Sequence, residues 1–91
     1  MDDDFEWDPK KAEINRRKHG VSFADATTIF DDPMAISIEE QDLDGEERSI
    51  TAGMDHLGRL LVVSYAFRRG RTRIISARQA DQYERAEYER R

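Results

Sequence analysis

The hydrophobic period of this chain changes from helical to two at Asp32-Pro33, and that change decides which folds it can enter. Before it, Phe23, Ala26 and Phe30 fall at i, i+3 and i+7 behind Ser22-Phe23-Ala24-Asp25, a pattern that resembles a capping box and predicts a short helix with one buried stripe. After it the period is two. Ile36 and Ile38 share one face of a segment 35–40, and Ile50, Ala52 and Met54 share one face of 48–54, with the turn-rich Leu43-Asp44-Gly45 between them. Residues 59–67 contain the unbroken run Leu60-Leu61-Val62-Val63, which suits a central strand covered on both faces. Another strand over 72–78 follows through Arg69-Gly70.

The two ends complete the order. Phe5-Glu6-Trp7 suits a short first strand or an anchoring arm, with Trp7 as the anchor, and Asp2-Asp3-Asp4 before it reads as a frayed acidic tail. Asp8-Pro9 is a helix start, Asp as cap and Pro at the first helical position, and Gly20 is its stop. Lys11, Asn15 and Lys18 line one stripe of that helix, with Ala12 and His19 beside it, so it offers a polar, cationic face rather than a greasy one. Asp81 with Glu84 is a variant capping box that starts a last helix at about Gln82. The chain therefore reads as one α+β domain over 1–91: a short strand, two helices, an antiparallel sheet of four main strands and a C-terminal helix, without repeats or linkers.

Composition bounds the chemistry. The absence of cysteine excludes disulfides and thiolate metal sites and makes a reducing cytoplasm the natural compartment. No apolar stretch approaches the roughly 20 residues that span a bilayer. The net charge of −5 is unevenly spread: residues 1–47 hold 5 Lys and Arg against 15 Asp and Glu, whereas residues 48–91 hold 10 against 5. All ten of those later cations are arginine, the side chain suited to bidentate phosphate contacts and base stacking. A domain this small has a thin core, so a partner can add stability.

Phe5-Glu6-Trp7-Asp8, Lys11, Asn15, Lys18-His19-Gly20-Val21-Ser22-Phe23, Ala26, Phe30 and Asp32-Pro33 together resemble the N-terminal signature of the BrnT toxins. Ile74-Ile75-Ser76-Ala77-Arg78, Ala80, Glu84 and Tyr88-Glu89 resemble the closing signature, with Arg48, Gly53 and the Leu60–Val63 run between them. Two separated motifs in order are far more specific than one short pattern. The resemblance implies a RelE-like fold and RNA cleavage without a metal ion or other cofactor. It also implies neutralisation by a small BrnA-like antitoxin in a hetero-oligomer, operator DNA being bound only through that antitoxin.

Metal-free cleavage needs a base for the 2′-hydroxyl, an acid for the leaving 5′-oxygen and cations on the phosphate. His19 is the candidate acid or base, its alternative being simple placement at a helix C-terminus. His56, in the Asp55–Gly58 turn, reads as solvent-exposed. Arg48 and Arg78 are candidates to hold the phosphate, or else strand-end arginines with their heads in water; alternation puts Arg78 on the face of Ile74 and Ser76, and Arg73 on the other. Glu84 serves as a base or as a helix cap. Lys11 and Lys18 are placed to grip the RNA backbone, and Tyr65 and Tyr88 either stack on bases or pack. The histidines lack metal-site spacing, and no helix combines a basic reading face with helix-turn-helix spacing. The rival to a ribonuclease is a non-catalytic RNA- or protein-binding module acting as a repressor's partner.

Overall fold

The computed structural model describes residues 4–43 and 46–90, so the expected tail at Asp2-Asp3 and the centre of the expected turn at Asp44-Gly45 lie outside the described residues. In chain order it forms β1 (Phe5–Glu6), α1 (Pro9–His19), α2 (Phe23–Thr27) continuing into a 3-10 turn (Thr28–Asp31), β2 (Ile36–Leu43), β3 (Glu46–Met54), β4 (Leu60–Arg68), β5 (Arg71–Gln79) and α3 (Gln82–Glu89). The sheet order is β1-β5-β4-β3-β2. β2 to β5 are an antiparallel meander, as the period-two segments imply, but β1 joins β5 in parallel and makes the sheet mixed. A two-residue strand carries no pattern that reveals the direction of its partner.

One face of the sheet carries α1 and α2, and α3 is tied to the other through Arg78. On the first face Val21, Phe23, Ala26 and Ile29 pack on Leu61, Val63, Tyr65, Ile74 and Ala77, with Trp7 and Phe30 at the margin. The expected stripe ended at Phe30; the structure buries Ile29 instead. The cause is the tightening to about three residues per turn from Thr28 onward, which keeps every third residue, 23, 26 and 29, on one side. That turn lies so close to β3 that a Cβ at Gly53 would sit 3.0 Å from Ile29 Cβ and 3.2 Å from its carbonyl oxygen. Leu60 through Val63 are all buried, as an apolar run covered on both faces requires. Trp7 meets Phe23 edge-on at 6.1 Å and so anchors the N-terminal arm.

Two bulges break the alternation that the sequence suggests. One lies between Ser37 and Glu39 and interrupts the Ile36–Ile38 stripe. The other is at Ile75, because Ser64 pairs with Ser76 but Tyr65 pairs with Ile74. One extra residue reverses which side chains face which way. Arg73 opposes Ala66 and Arg78 opposes Val62, so both arginines share the face turned away from α1, while Ile74 joins the core. The expected pairing of Arg78 with Ile74, against Arg73, is thereby corrected.

α1 is held to the sheet by polar contact. Its buried residue is Asn15, 6% exposed, whose amide donates to Ala77 O at 2.8 Å and to Val21 O at 3.0 Å and accepts from Ala77 N at 3.1 Å. Asn15 thus does for Ala77 what a neighbouring strand would do, just beyond the two residues that β1 covers, Thr72 and Arg73. Asn15→Ala leaves buried backbone groups unpaired, each such group costing about 1–3 kcal/mol. Urea unfolding should therefore show a loss of roughly 2–4 kcal/mol, against a change below about 0.5 kcal/mol for the exposed Lys10→Ala.

Candidate functional site at the β5 edge

Between the stretch of β5 paired to β1 and the stretch paired to Asn15 lies the Ile75 bulge, and there the surface opens into a hollow of about 210 Å³. Lys11, Ile14, Lys18 and His19 from α1 line it with Ile75 and Ser76. Helical spacing supplies one side: residues 11, 15 and 18 recur on one stripe with 19 beside them, and Asn15 presses that stripe to the strand. Gly20, at φ 70, ends the helix by donating to Arg16 O, which leaves Arg16, Arg17, Lys18 and His19 at the negative end of the helix dipole. Glu13 holds Arg16 and Arg17 at 2.9 and 3.0 Å, and those contacts keep its carboxyl below the usual range. Lys11, Lys18 and His19 are left facing the hollow, two ammonium groups and an imidazole around one anion-sized space.

Arg78 lies two residues beyond Ser76, on the face opposite α1. Its Nη1 and Nη2 donate to the two oxygens of Glu84, each at 2.7 Å. Glu84 also accepts from Asp81 N and donates its own N–H to Asp81, so it closes a capping box and clamps Arg78 at once. The Arg78 guanidinium first, then the Asp81 backbone, hold the Glu84 carboxyl below its ordinary value against the opposing effect of burial. That makes Glu84 a weak base and a good anchor for a cation. The bidentate pair does not exhaust the donors of a guanidinium.

The remaining expected residues are dispersed. Arg48 opposes Ala66, which in turn opposes Arg73, whereas Arg78 opposes Val62, so Arg48 stands two strands away and roughly 13 Å further along the sheet. Tyr65 is in the core, 8% exposed, with its hydroxyl 2.8 Å from Thr51 Oγ1, which corrects the reading of it as a base-stacking side chain. Tyr88 is half-buried and donates to Asp32 Oδ2 at 2.6 Å, tying the far end of α3 to the 3-10 turn. Among the described residues no group of three His, Cys, Asp or Glu is arranged to hold a metal ion, and no helix is long and apolar enough to cross a membrane.

A second cluster escaped the sequence. His56 is exposed, as expected, yet its Nε2 lies 2.7 Å from Asp25 Oδ1, and Arg59 Nη2 reaches the other oxygen of Asp25 at 3.2 Å. The His56 contact is the main cause of a lowered Asp25 carboxyl. Asp55, its carboxylate fully buried, accepts from Leu57 N, Arg59 N and Arg59 Nε. The Asp55-to-Gly58 turn was the available signal, but contacts to α2 more than thirty residues away leave no local trace.

A family described as "Ribonuclease toxin, BrnT, of type II toxin-antitoxin system" matches residues 7–84. The fold is similar to the crystal structure of the Brucella abortus ribonuclease toxin BrnT, with a TM-score of 0.64 at 25% identity, over 84% of this chain and 94% of that one. No match was found among curated proteins.

The Arg78–Glu84 clamp sets a pH dependence. Glu84 has a folded pKa below its unfolded value of 4.5, so its stabilisation is complete above 4.5 and is lost as pH falls through the lower folded value. With the guanidinium partly in water, Glu84→Gln should cost about 1 kcal/mol at pH 7. Denaturant titrations at pH 7 and pH 3 should show that difference shrinking at the lower pH.

Proposed function

Because the chain belongs to the BrnT family of ribonuclease toxins of type II toxin–antitoxin systems, with RNA as its target and an antitoxin as its partner, we propose that it is a metal-independent endoribonuclease whose reacting phosphate sits in the β5-edge hollow. The observation that carries the reading is the meeting of Lys11, Lys18 and His19 around Ser76. Cleavage proceeds by attack of the 2′-oxygen on phosphorus with loss of its proton, and by departure of the 5′-oxygen with gain of one, leaving a 2′,3′-cyclic phosphate. His19 moves one of these protons. Lys11 and Lys18 neutralise the non-bridging oxygens as charge builds on them, and Arg78, held ready by Glu84 next to Ser76, adds a planar donor from the other face. Arg48 belongs to the outer reach of the RNA path.

On this reading the protein acts as one unit over residues 1–91 in the cytoplasm, and its cuts stop translation. A BrnA-like antitoxin neutralises it in a hetero-oligomer and brings the pair to operator DNA.

Purified protein freed of any partner should cut naked RNA in excess EDTA and leave cyclic-phosphate ends. His19→Ala should lower kcat by about 100-fold or more with an unchanged melting temperature, and Lys18→Ala should chiefly raise KM. Cleavage abolished by EDTA, or a fully active His19→Ala, overturns the mechanism; RNA bound but never cut favours a binding module instead.

A further inference from the structure

The β4–β5 hairpin carries apolar and cationic surface that neither the core nor the hollow uses. Phe67 is 65% exposed, although β4 is otherwise largely buried. Its ring is the outer end of an aromatic stair: Phe30 meets Tyr65 edge-on at 4.9 Å, and Tyr65 meets Phe67 edge-on at 5.9 Å. Packing on Tyr65 steadies the Phe67 ring without covering it, and a steadied ring loses little freedom when something stacks on it.

Arginines crowd the same end. Arg68 and Arg71 oppose each other across the strands, an arrangement of like charges that is unfavourable by itself. Arg69 and Gly70 form the two-residue turn, with φ of 52 and 77. Such a turn normally holds Asn or Gly at its first position, and a long side chain there carries left-handed backbone strain. Arg71 donates to Phe5 O at 3.0 Å and Arg73 to Glu6 at 3.0 Å, so β1 restrains the two arginines nearest the sheet. A second hollow, distinct from the β5-edge one, opens here and is lined by Glu6, Arg68, Arg69 and Arg73. Glu6 lies 3.8 Å from Arg71 and 3.0 Å from Arg73, one carboxylate beside several guanidinium groups, so the lining of this hollow keeps a positive excess that draws an anion. From Arg73 to Ser76 is roughly 10 Å along β5, so a chain leaving the β5-edge hollow along the strand arrives here.

We infer that the β4–β5 hairpin is a second RNA-binding element, in which Phe67 stacks on an unpaired base while Arg69, at the turn, holds the adjoining phosphate. It rests on RNA being the ligand of the β5-edge hollow, and it assigns the protein to single-stranded RNA, because bases paired in an A-form duplex cannot be presented to a ring at a hairpin tip.

The test is anisotropy of a fluorescent single-stranded oligoadenylate in EDTA, with every variant in a His19→Ala background to keep the RNA intact. Phe67→Ala should weaken binding about 5- to 100-fold. Phe67→Leu should weaken it comparably and Phe67→Trp should preserve it, a contrast that separates stacking from plain apolar contact. Arg69→Asn should raise the melting temperature by relieving the turn, yet weaken binding and reduce the logarithmic salt dependence by about one. Duplex RNA should bind without regard to Phe67. Binding by Phe67→Leu equal to the parent, or equal losses on duplex and single strand, overturns the inference. So does unchanged RNA affinity in all variants with loss of antitoxin binding, which would make the hairpin a protein-docking surface. No RNA binding by the parent overturns the ribonuclease reading too, whereas binding lost by Lys18→Ala but indifferent to Phe67 overturns the hairpin's role alone.

Discussion

The hydrogen bonds between the Asn15 amide and the Ala77 backbone are the contact on which the rest of the structure depends. β5 would otherwise run past the end of β1 as an open edge, with a donor and an acceptor of Ala77 left unpaired. α1 has almost no apolar face with which to cover it. A primary amide holds both a donor and an acceptor, so one side chain completes the strand edge and binds the helix to it. It also accepts the strand's register for the helix: with Asn15 opposite Ala77, Lys11, Lys18 and His19 must lie along Ile75 and Ser76.

The Ile75 bulge does the complementary work on the strand. It takes Ile74 into the core, brings Arg73 and Arg78 onto one face and leaves Ser76 at the rim of the hollow. A strand without the extra residue would send Arg78 and Ile74 to the same side, as simple alternation predicts, and a guanidinium would then compete for space in the core. Bulges recur beside functional sites because they re-aim one side chain without ending the strand.

The acidity of the chain looks different in three dimensions. Glu13 holds Arg16 and Arg17, Glu6 holds Arg73, Asp25 holds Arg59 and His56, and Glu84 holds Arg78. Part of the negative charge is thus used inside the molecule to orient cations, and a net charge of −5 says little about the potential along the β5 edge, where two lysines and a histidine converge. α3 follows the same logic: it has no buried residue and is tied down by polar contacts near its two ends, Glu84 to Arg78 and Tyr88 to Asp32.

The sequence by itself determined the elements, their order and the central strand, because those follow from local periods, caps and turns: Asp8-Pro9, Ser22, the Leu60–Val63 run and the Asp81/Glu84 box all act within a few residues of themselves. It also determined that Lys11 and Lys18 share a helical stripe with His19 on the adjoining one, since 3.6 residues per turn allows nothing else. Only the tertiary structure decided that β1 runs parallel to β5, that Ile29 displaces Phe30 from the core, that Tyr65 is buried while Phe67 stands out, and that Arg48 is remote from Arg78. Each of these turns on a bulge, a tightened turn or a pairing between residues far apart in the chain. A single inserted residue leaves composition and motif intact while reversing the direction of every side chain beyond it, and contacts across the fold are made by elements whose own sequences carry no record of their partners.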